Sequence, residues 1–127
     1  MHKIHFYKDR SGKEPVFEFL RELSQKKNKN SRIQLNKIND YIEILSQYGT
    51  QIGEPYIKYL NGNIWELRPL RSRILFVTWY EGGYVLLHIF MKKTQKIPAR
   101  EIEQAKREFA DFIERGLDNE QKYCNWK

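Results

Sequence analysis

In the first half of the chain, apolar residues recur at helical spacing in two successive stretches. This pattern predicts two amphipathic helices. After a strand-like segment at 4–7 and a polar turn, Pro15 opens the first helix, because proline is tolerated in a first helical turn. The polar run 26–30 ends this helix, and a second follows with Ser31 as its predicted N-cap and Gly49 as its end. So short a link predicts an antiparallel helical hairpin. The residues that form the apolar faces of these two predicted helices are Val16, Phe19, Leu20, Leu23, Ile33, Ile38, Tyr41, Ile42 and Leu45.

From residue 56 onward the helical period gives way to strands. Asn61 and Gly62 predict a hairpin with a type I′ turn, which needs positive φ at both central residues. Pro69 closes the second strand, and a turn at 81–83 joins the last two. The run 85–90 has few polar breaks, so we expect a central strand covered on both faces. The four strands of this predicted meander are 56–60, 64–68, 74–80 and 84–91.

A third helix follows, which Pro98 opens and Gly116 is expected to cap. Trp126, near the end of the chain, suggests that the polar tail docks on the domain. The element order predicts an α+β fold: an N-terminal strand and helical hairpin, an antiparallel meander of about four strands, and a C-terminal helix. We expect a single domain over 1–127, with the helices on one face of the sheet.

Composition narrows the class of protein. The 127 residues carry a net charge of +7, and no apolar run approaches the length of a membrane span. The N-terminus lacks the apolar core of a secretory signal, and one cysteine, Cys124, excludes an internal disulfide. Glycine-rich phosphate loops, nucleophile elbows and metal-ligand spacings are missing, so no cofactor or metal is expected. We therefore expect a cytoplasmic protein without a membrane partner.

The excess positive charge lies in the first 30 residues, which hold eight Lys and Arg against four Asp and Glu, and in the predicted sheet. Residues 56–98 hold seven Lys and Arg against two Asp and Glu, whereas 99–127 hold six against seven. A strongly basic sheet favours a polyanionic partner such as nucleic acid, although a basic surface that only keeps the protein soluble is an open alternative.

The predicted strand pairing brings several cations to one end of the sheet. The strand that begins at Arg73 returns, after its turn, to Lys92 and Lys93, and Arg68 precedes the same connection. Such a cluster suits a phosphodiester, and RNA supplies its own nucleophile in the 2′-hydroxyl. Glu66 shares a side of its strand with Arg68 and is a candidate base. Tyr80, Tyr56 and Trp79 are candidates for stacking on a base, with cross-strand packing as the alternative.

His88 is the only histidine in the meander. We expect it to be buried and neutral, with its ring nitrogens hydrogen-bonded inside the sheet layer. Strand alternation then predicts that His88 points toward the helices, away from a face formed by Arg73 and Lys93.

The pattern W-E-L-R … R-I-L … L-L-H-x-F-x-K-K-T-x-K-x-P, over 64–106, resembles the HigB-type toxins and their phage-derived relatives in the RelE/ParE superfamily. This resemblance implies a ribosome-associated mRNA endonuclease with a microbial-ribonuclease-like sheet, neutralised by a helix-turn-helix, HigA-like antitoxin in a complex of higher oligomeric state. The C-terminal residues 123–127 lack the Asp-Tyr-His cluster of some HigB proteins, which favours a mechanism based on Arg and Lys alone. The catalytic positions expected are Arg73, Lys93, Arg68 and Glu66; those expected to bind RNA are Lys92, Lys96, Arg71, Lys58 and Tyr80.

Two other functions remain open at this point. ParE-like members of the superfamily poison DNA gyrase without cutting RNA, and a plain RNA-binding module would need no converging cations.

Overall fold

Three α-helices, one five-stranded sheet and two short 3₁₀ helices at Gly49–Ile52 and Tyr80–Gly82 make up the described chain. The computed structural model describes residues 1–115. The elements in chain order are β1 (Ile4–Phe6), α1 (Pro15–Gln25), α2 (Lys29–Tyr48), β2 (Ile57–Asn61), β3 (Ile64–Leu67), β4 (Ser72–Trp79), β5 (Gly83–Met91) and α3 (Ala99–Arg115). The sheet order is β1-β5-β4-β3-β2. This arrangement confirms the α+β class and the antiparallel meander.

The boundaries of the helical hairpin follow local capping chemistry. Helix α1 begins at Pro15, and Gly49 ends α2 with a φ of 70°, both as predicted. The prediction of Ser31 as N-cap is wrong. The cap is Asn28, whose side-chain oxygen accepts a hydrogen bond from the Ser31 N–H at 2.8 Å, so α2 starts at Lys29.

The β2–β3 hairpin forms where predicted but with a different turn. Asn61 pairs with Ile64, so Gly62 and Asn63 are the central residues, and an irregularity between Tyr59 and Asn61 shifts the register. Of the two central residues only Gly62 has positive φ, at 55°. The type I′ prediction is therefore wrong, because it placed Asn61 inside the turn rather than in the strand.

Strand β1 joins the sheet as a parallel neighbour of β5, with Ile4 opposite Tyr84 and Phe6 opposite Leu86. Consequently β5 lies between β1 and β4, which confirms the expectation of a central strand. Val85, Leu86 and Leu87 are fully buried, as a strand covered on both faces requires.

Helices cover both faces of the sheet, so the expectation of helices on one face is wrong. Helices α1 and α2 pack on the face that carries Ile74, Phe76 and Leu86. Helix α3 packs through Ala105 and Phe112 on the opposite face. The strands β4 and β5 are apolar on both faces, so their pattern could not say which face α3 takes.

The Gly116 cap and the docking of Trp126 lie outside the described residues. None of the helices within 1–115 is both long and apolar enough to cross a membrane.

Candidate polyanion site

The β4–β5 hairpin gathers four cations at one end of the sheet. Ser72 pairs with Met91, and the Lys92 N–H donates to the Arg71 carbonyl at 2.8 Å. An open cleft of about 460 Å³ lies there, which we call the Arg73 cleft. Its lining includes Arg71, Arg73, Lys92 and Lys93. The predicted convergence of Arg73 with Lys92 and Lys93 is thus confirmed.

The backbone fixes the guanidinium of Arg73. Its side chain is 10% exposed, and one terminal nitrogen donates to the carbonyls of Leu70 at 2.7 Å and Ser72 at 2.8 Å. Leu70 has a φ of 54°, a left-handed conformation that is uncommon for a residue with a side chain. The strained turn aims a carbonyl at Arg73, so the cation is held against the cleft wall.

Glu66 lies between two guanidinium groups. Its carboxylate is 3.3 Å from Nε of Arg68, which directly follows β3, and 3.6 Å from Nε of Arg73, so the predicted proximity of Glu66 and Arg68 is confirmed. The Glu66 side chain is only 1% exposed. Within residues 1–115, Glu66 Oε2 and Arg73 Nε are buried without a hydrogen-bond partner.

Burial dominates the electrostatics of this pair. It raises the pKa of Glu66, and the nearby charges of Arg73, Arg68, Lys92 and Lys58 oppose that rise without cancelling it. Burial likewise lowers the pKa of Arg73, against the attraction of Glu66. The negative charge of the Glu66 carboxylate reduces the electrostatic repulsion among the neighbouring Arg and Lys side chains. The surrounding surface stays positive.

A second basic cleft adjoins the first. This Lys58 cleft, of about 250 Å³, is lined by Lys58, Glu66, Arg68, Lys92 and Lys96, among others. Lys92 and Gln95 line both clefts, so the two form one surface. Eight of the nine predicted site residues thus lie together.

Tyr80, the ninth, lies apart from them. It is 70% exposed and follows β4 at the end opposite Arg73, seven residues and about 23 Å along an extended strand. The other stacking candidates pack inside the protein: Trp79 lies against Phe112 with ring centroids 4.7 Å apart, and Tyr56 against Tyr41 at 5.1 Å.

The predicted orientation of His88 is wrong in one respect. Arg73 pairs with Phe90, so Arg73 shares the face of Phe90 and His88. Lys93 follows the end of β5, where strand alternation no longer fixes its direction. His88 does point to a helix, as expected, but that helix is α3 on the same face. Its side chain is 19% exposed rather than fully buried, and Nε2 lies 2.6 Å from a Glu101 oxygen.

Sequence reasoning missed Phe90 and Glu101 as neighbours of the site. Phe90 belongs to an apolar run assigned to the core, and Glu101 occupies the first turn of α3, where a carboxylate is ordinary. The pairing of Phe90 with Arg73 follows a register irregularity between β4 and β5, so no local sequence pattern predicted it.

Comparison with known proteins identifies the family. The family model described as "Phage derived protein Gp49-like (DUF891)" matches residues 18–110, which include both basic clefts and most of α3. The chain belongs to the Gp49-like family. This is a phage-derived, toxin-like family of the RelE/HigB type. No curated protein gave a significant match. Within residues 1–115, no three His, Cys, Asp or Glu side chains are grouped to hold a metal ion.

Proposed function

We propose that this Gp49-like protein is the toxin of a type II toxin–antitoxin system and acts as a ribosome-associated mRNA endonuclease. The observation that carries the proposal is the buried, backbone-held Arg73 beside Lys92 and Lys93 in one open cleft. A cation held by the backbone, with two lysines lining the same cleft, suits a transition state better than it suits diffuse binding. Membership of a toxin-like family agrees with this activity.

In the proposed reaction the 2′-oxygen of RNA attacks the adjacent phosphorus and the P–O5′ bond breaks. The products are a 2′,3′-cyclic phosphate and a 5′-hydroxyl end. The proton lost by the 2′-hydroxyl and the proton gained by O5′ balance each other and can pass through water. Arg73, Lys92 and Lys93 stabilise the additional negative charge on the phosphoryl oxygens, and no protein nucleophile is required.

The remaining cations position the RNA strand. Lys58, Arg68 and Lys96 extend the positive surface into the Lys58 cleft, where they contact neighbouring phosphates. Arg71 lines the outer part of the Arg73 cleft. Glu66 is almost inaccessible, so it acts through Arg68 and Arg73 rather than on the 2′-hydroxyl.

The proposed partner is a helix-turn-helix, HigA-like antitoxin that forms a higher oligomer with the toxin in the cytoplasm. The net charge of +7 favours an acidic partner surface and rapid association at low salt. Co-expression with the neighbouring gene should yield a co-purifying complex, and a toxin that purifies alone would contradict this.

The decisive test is induction of the toxin in a bacterium, followed by mapping of new 5′ ends in mRNA. We expect growth arrest and 5′-hydroxyl ends at codon-related positions. Lys93→Ala should lower the cleavage rate ~10²–10³-fold at matched expression. Lys27→Ala, an exposed lysine in the α1–α2 link, is the matched control and should stay toxic. Intact mRNA with blocked supercoiling would instead identify a gyrase inhibitor.

A further inference from the structure

A third cleft lies beside the Arg73 cleft and has a different chemistry. This Phe90 cleft has a volume of about 530 Å³. Its apolar lining comes from Phe90, Met91 and Pro98. Its polar lining comes from Lys93, Thr94, Arg100 and Glu101. An aromatic and apolar floor with a few polar groups at the edge is typical of a pocket for a flat organic ring.

The Phe90 cleft is continuous with the cationic site. Lys93 and Thr94 line both clefts. Phe90 pairs directly with Arg73 in the β4–β5 ladder, and paired residues of antiparallel strands lie about 5 Å apart. Phe90 and Arg73 therefore project from neighbouring positions on the same face of the sheet.

Two neighbours hold this aromatic wall and its polar edge in place. The His88 ring lies against Phe90, with centroids 5.8 Å apart and planes inclined by 28°. His88 Nε2 lies 2.6 Å from Oε1 of Glu101, and Oε2 of the same carboxylate is 3.7 Å from Nε of Arg100. Glu101 thus presents hydrogen-bond acceptors at a fixed position on the rim of the cleft.

We propose that the Phe90 cleft binds the nucleobase adjoining the phosphate in the Arg73 cleft, which rests on the proposed RNA-cleaving function. The base stacks on Phe90, since stacking on an aromatic side chain suits every base. The carboxylate of Glu101 accepts from a donor edge of the base. Guanine offers the best match, because its N1–H and exocyclic amino group present two adjacent donors, whereas uracil presents one.

The test measures nucleotide binding to the purified full chain by calorimetry, with inorganic phosphate, guanosine 3′-monophosphate and uridine 3′-monophosphate as probes. We expect the guanosine nucleotide to bind about tenfold or more tightly than phosphate, as base–aromatic stacking predicts. Phe90→Leu should remove most of that difference and leave the phosphate affinity unchanged. Glu101→Gln should narrow the difference between guanosine and uridine.

Tyr48→Leu is the matched control, an exposed aromatic at the end of α2, and should bind all three probes like the parent protein. Because Phe90 is half-buried, thermal melting must show that Phe90→Leu is folded. Glu101→Gln, which keeps the shape of the side chain, supplies the second variant and is checked in the same way. Nucleotides that bind no tighter than phosphate, or that bind Phe90→Leu as well as the parent protein, would overturn the assignment.

These outcomes separate the inference from the proposed function. Nucleotide binding that depends on Phe90, with RNA left intact, would retain the base site and reject the endonuclease. RNA cleavage without any nucleobase contribution would retain the endonuclease and reject the base site. If only an apolar antitoxin peptide competes for Phe90, the cleft belongs to the inhibitory interface instead.

Discussion

Glu66 on β3 and Arg73 on β4 lie diagonally across the strand pair with Oε2 and Nε 3.6 Å apart, and both atoms are buried. This separation is longer than a hydrogen bond, so the pair attracts without closing. Burial disfavours the charged forms of both Glu66 and Arg73. Two neutral side chains at these positions would cost the fold less free energy. Buried charges that are incompletely paired are therefore typical of functional sites.

Glu66→Gln keeps the shape of the side chain and removes its charge. Because burial raises the pKa of Glu66, its ionised form is less favourable in the folded protein than in the unfolded chain. We therefore expect the variant to resist urea at pH 7 at least as well as the parent protein, while the cleavage rate falls at least tenfold. Glu54→Gln, on the exposed carboxylate 3.6 Å from Arg68, is the control and should change little. A destabilised variant with full activity would show that Glu66 is only a structural residue.

Arg73→Lys tests whether the geometry of the cation matters beyond its charge. An ammonium group cannot donate to Leu70 and Ser72 while it also faces Glu66 as a planar guanidinium does. The cleavage rate should fall ~10²-fold or more. Arg71→Lys, at an exposed position in the same cleft, should lose less than threefold in a parallel assay. If the two variants are equally active, cleavage requires only the positive charge at position 73 and not the geometry of a guanidinium group.

The sequence predicted most of the site because the site depends on a local hairpin. The register of β4 and β5 places Arg73 near Lys92 and Lys93; the short turn sets this register at Trp79 and Gly83, and one irregularity near Leu75 shifts it by a single position. Glu66 and Arg68 are two residues apart on one strand, so their shared side also follows from local geometry.

What escaped prediction depends on long-range pairing or on rare backbone states. Strand β1 has three residues and pairs with β5 some 80 positions later, for which no local pattern exists. The side of the sheet that α3 covers is undetermined by strands that are apolar on both faces. Leu87 is an extra residue between the paired positions of β5, and Leu70 adopts a positive φ that nothing in its side chain favours.

Glu108 predicts a pH dependence of stability. This α3 carboxyl is 7% exposed, and burial raises its pKa to about 7, with Asp9 and Asp111 adding to the rise and Gln104 and Arg107 opposing it. Between pH 4.5 and 7 the folded protein retains a proton that the unfolded chain has lost. The contribution of Glu108 to the free energy of unfolding therefore declines as pH rises through that interval, by about 3 kcal/mol at most.

Glu108→Gln should remove that decline. Urea unfolding of both proteins should be measured at pH 4.5, 6 and 8. The free energy of unfolding of the variant should increase relative to that of the parent protein as pH increases. A constant difference in the free energy of unfolding across the three pH values would mean that Glu108 titrates normally in the folded protein.

His88 and Glu101 bracket the loop that carries Lys92, Lys93 and Lys96. The 2.6 Å contact joins β5 to the first turn of α3, so it closes the base of this loop. His88→Ala should release the loop, and we expect faster amide hydrogen exchange over residues 92–98 together with a lower cleavage rate. His88→Gln retains a group of similar reach that can bind Glu101, and should restore slow exchange and much of the activity. Exchange over β2, at the far edge of the sheet, serves as the internal control and should stay the same in all three proteins. If His88→Gln shows the slow exchange of the parent loop and yet leaves RNA uncut, the imidazole itself transfers a proton, and a mechanism based on Arg and Lys alone is wrong.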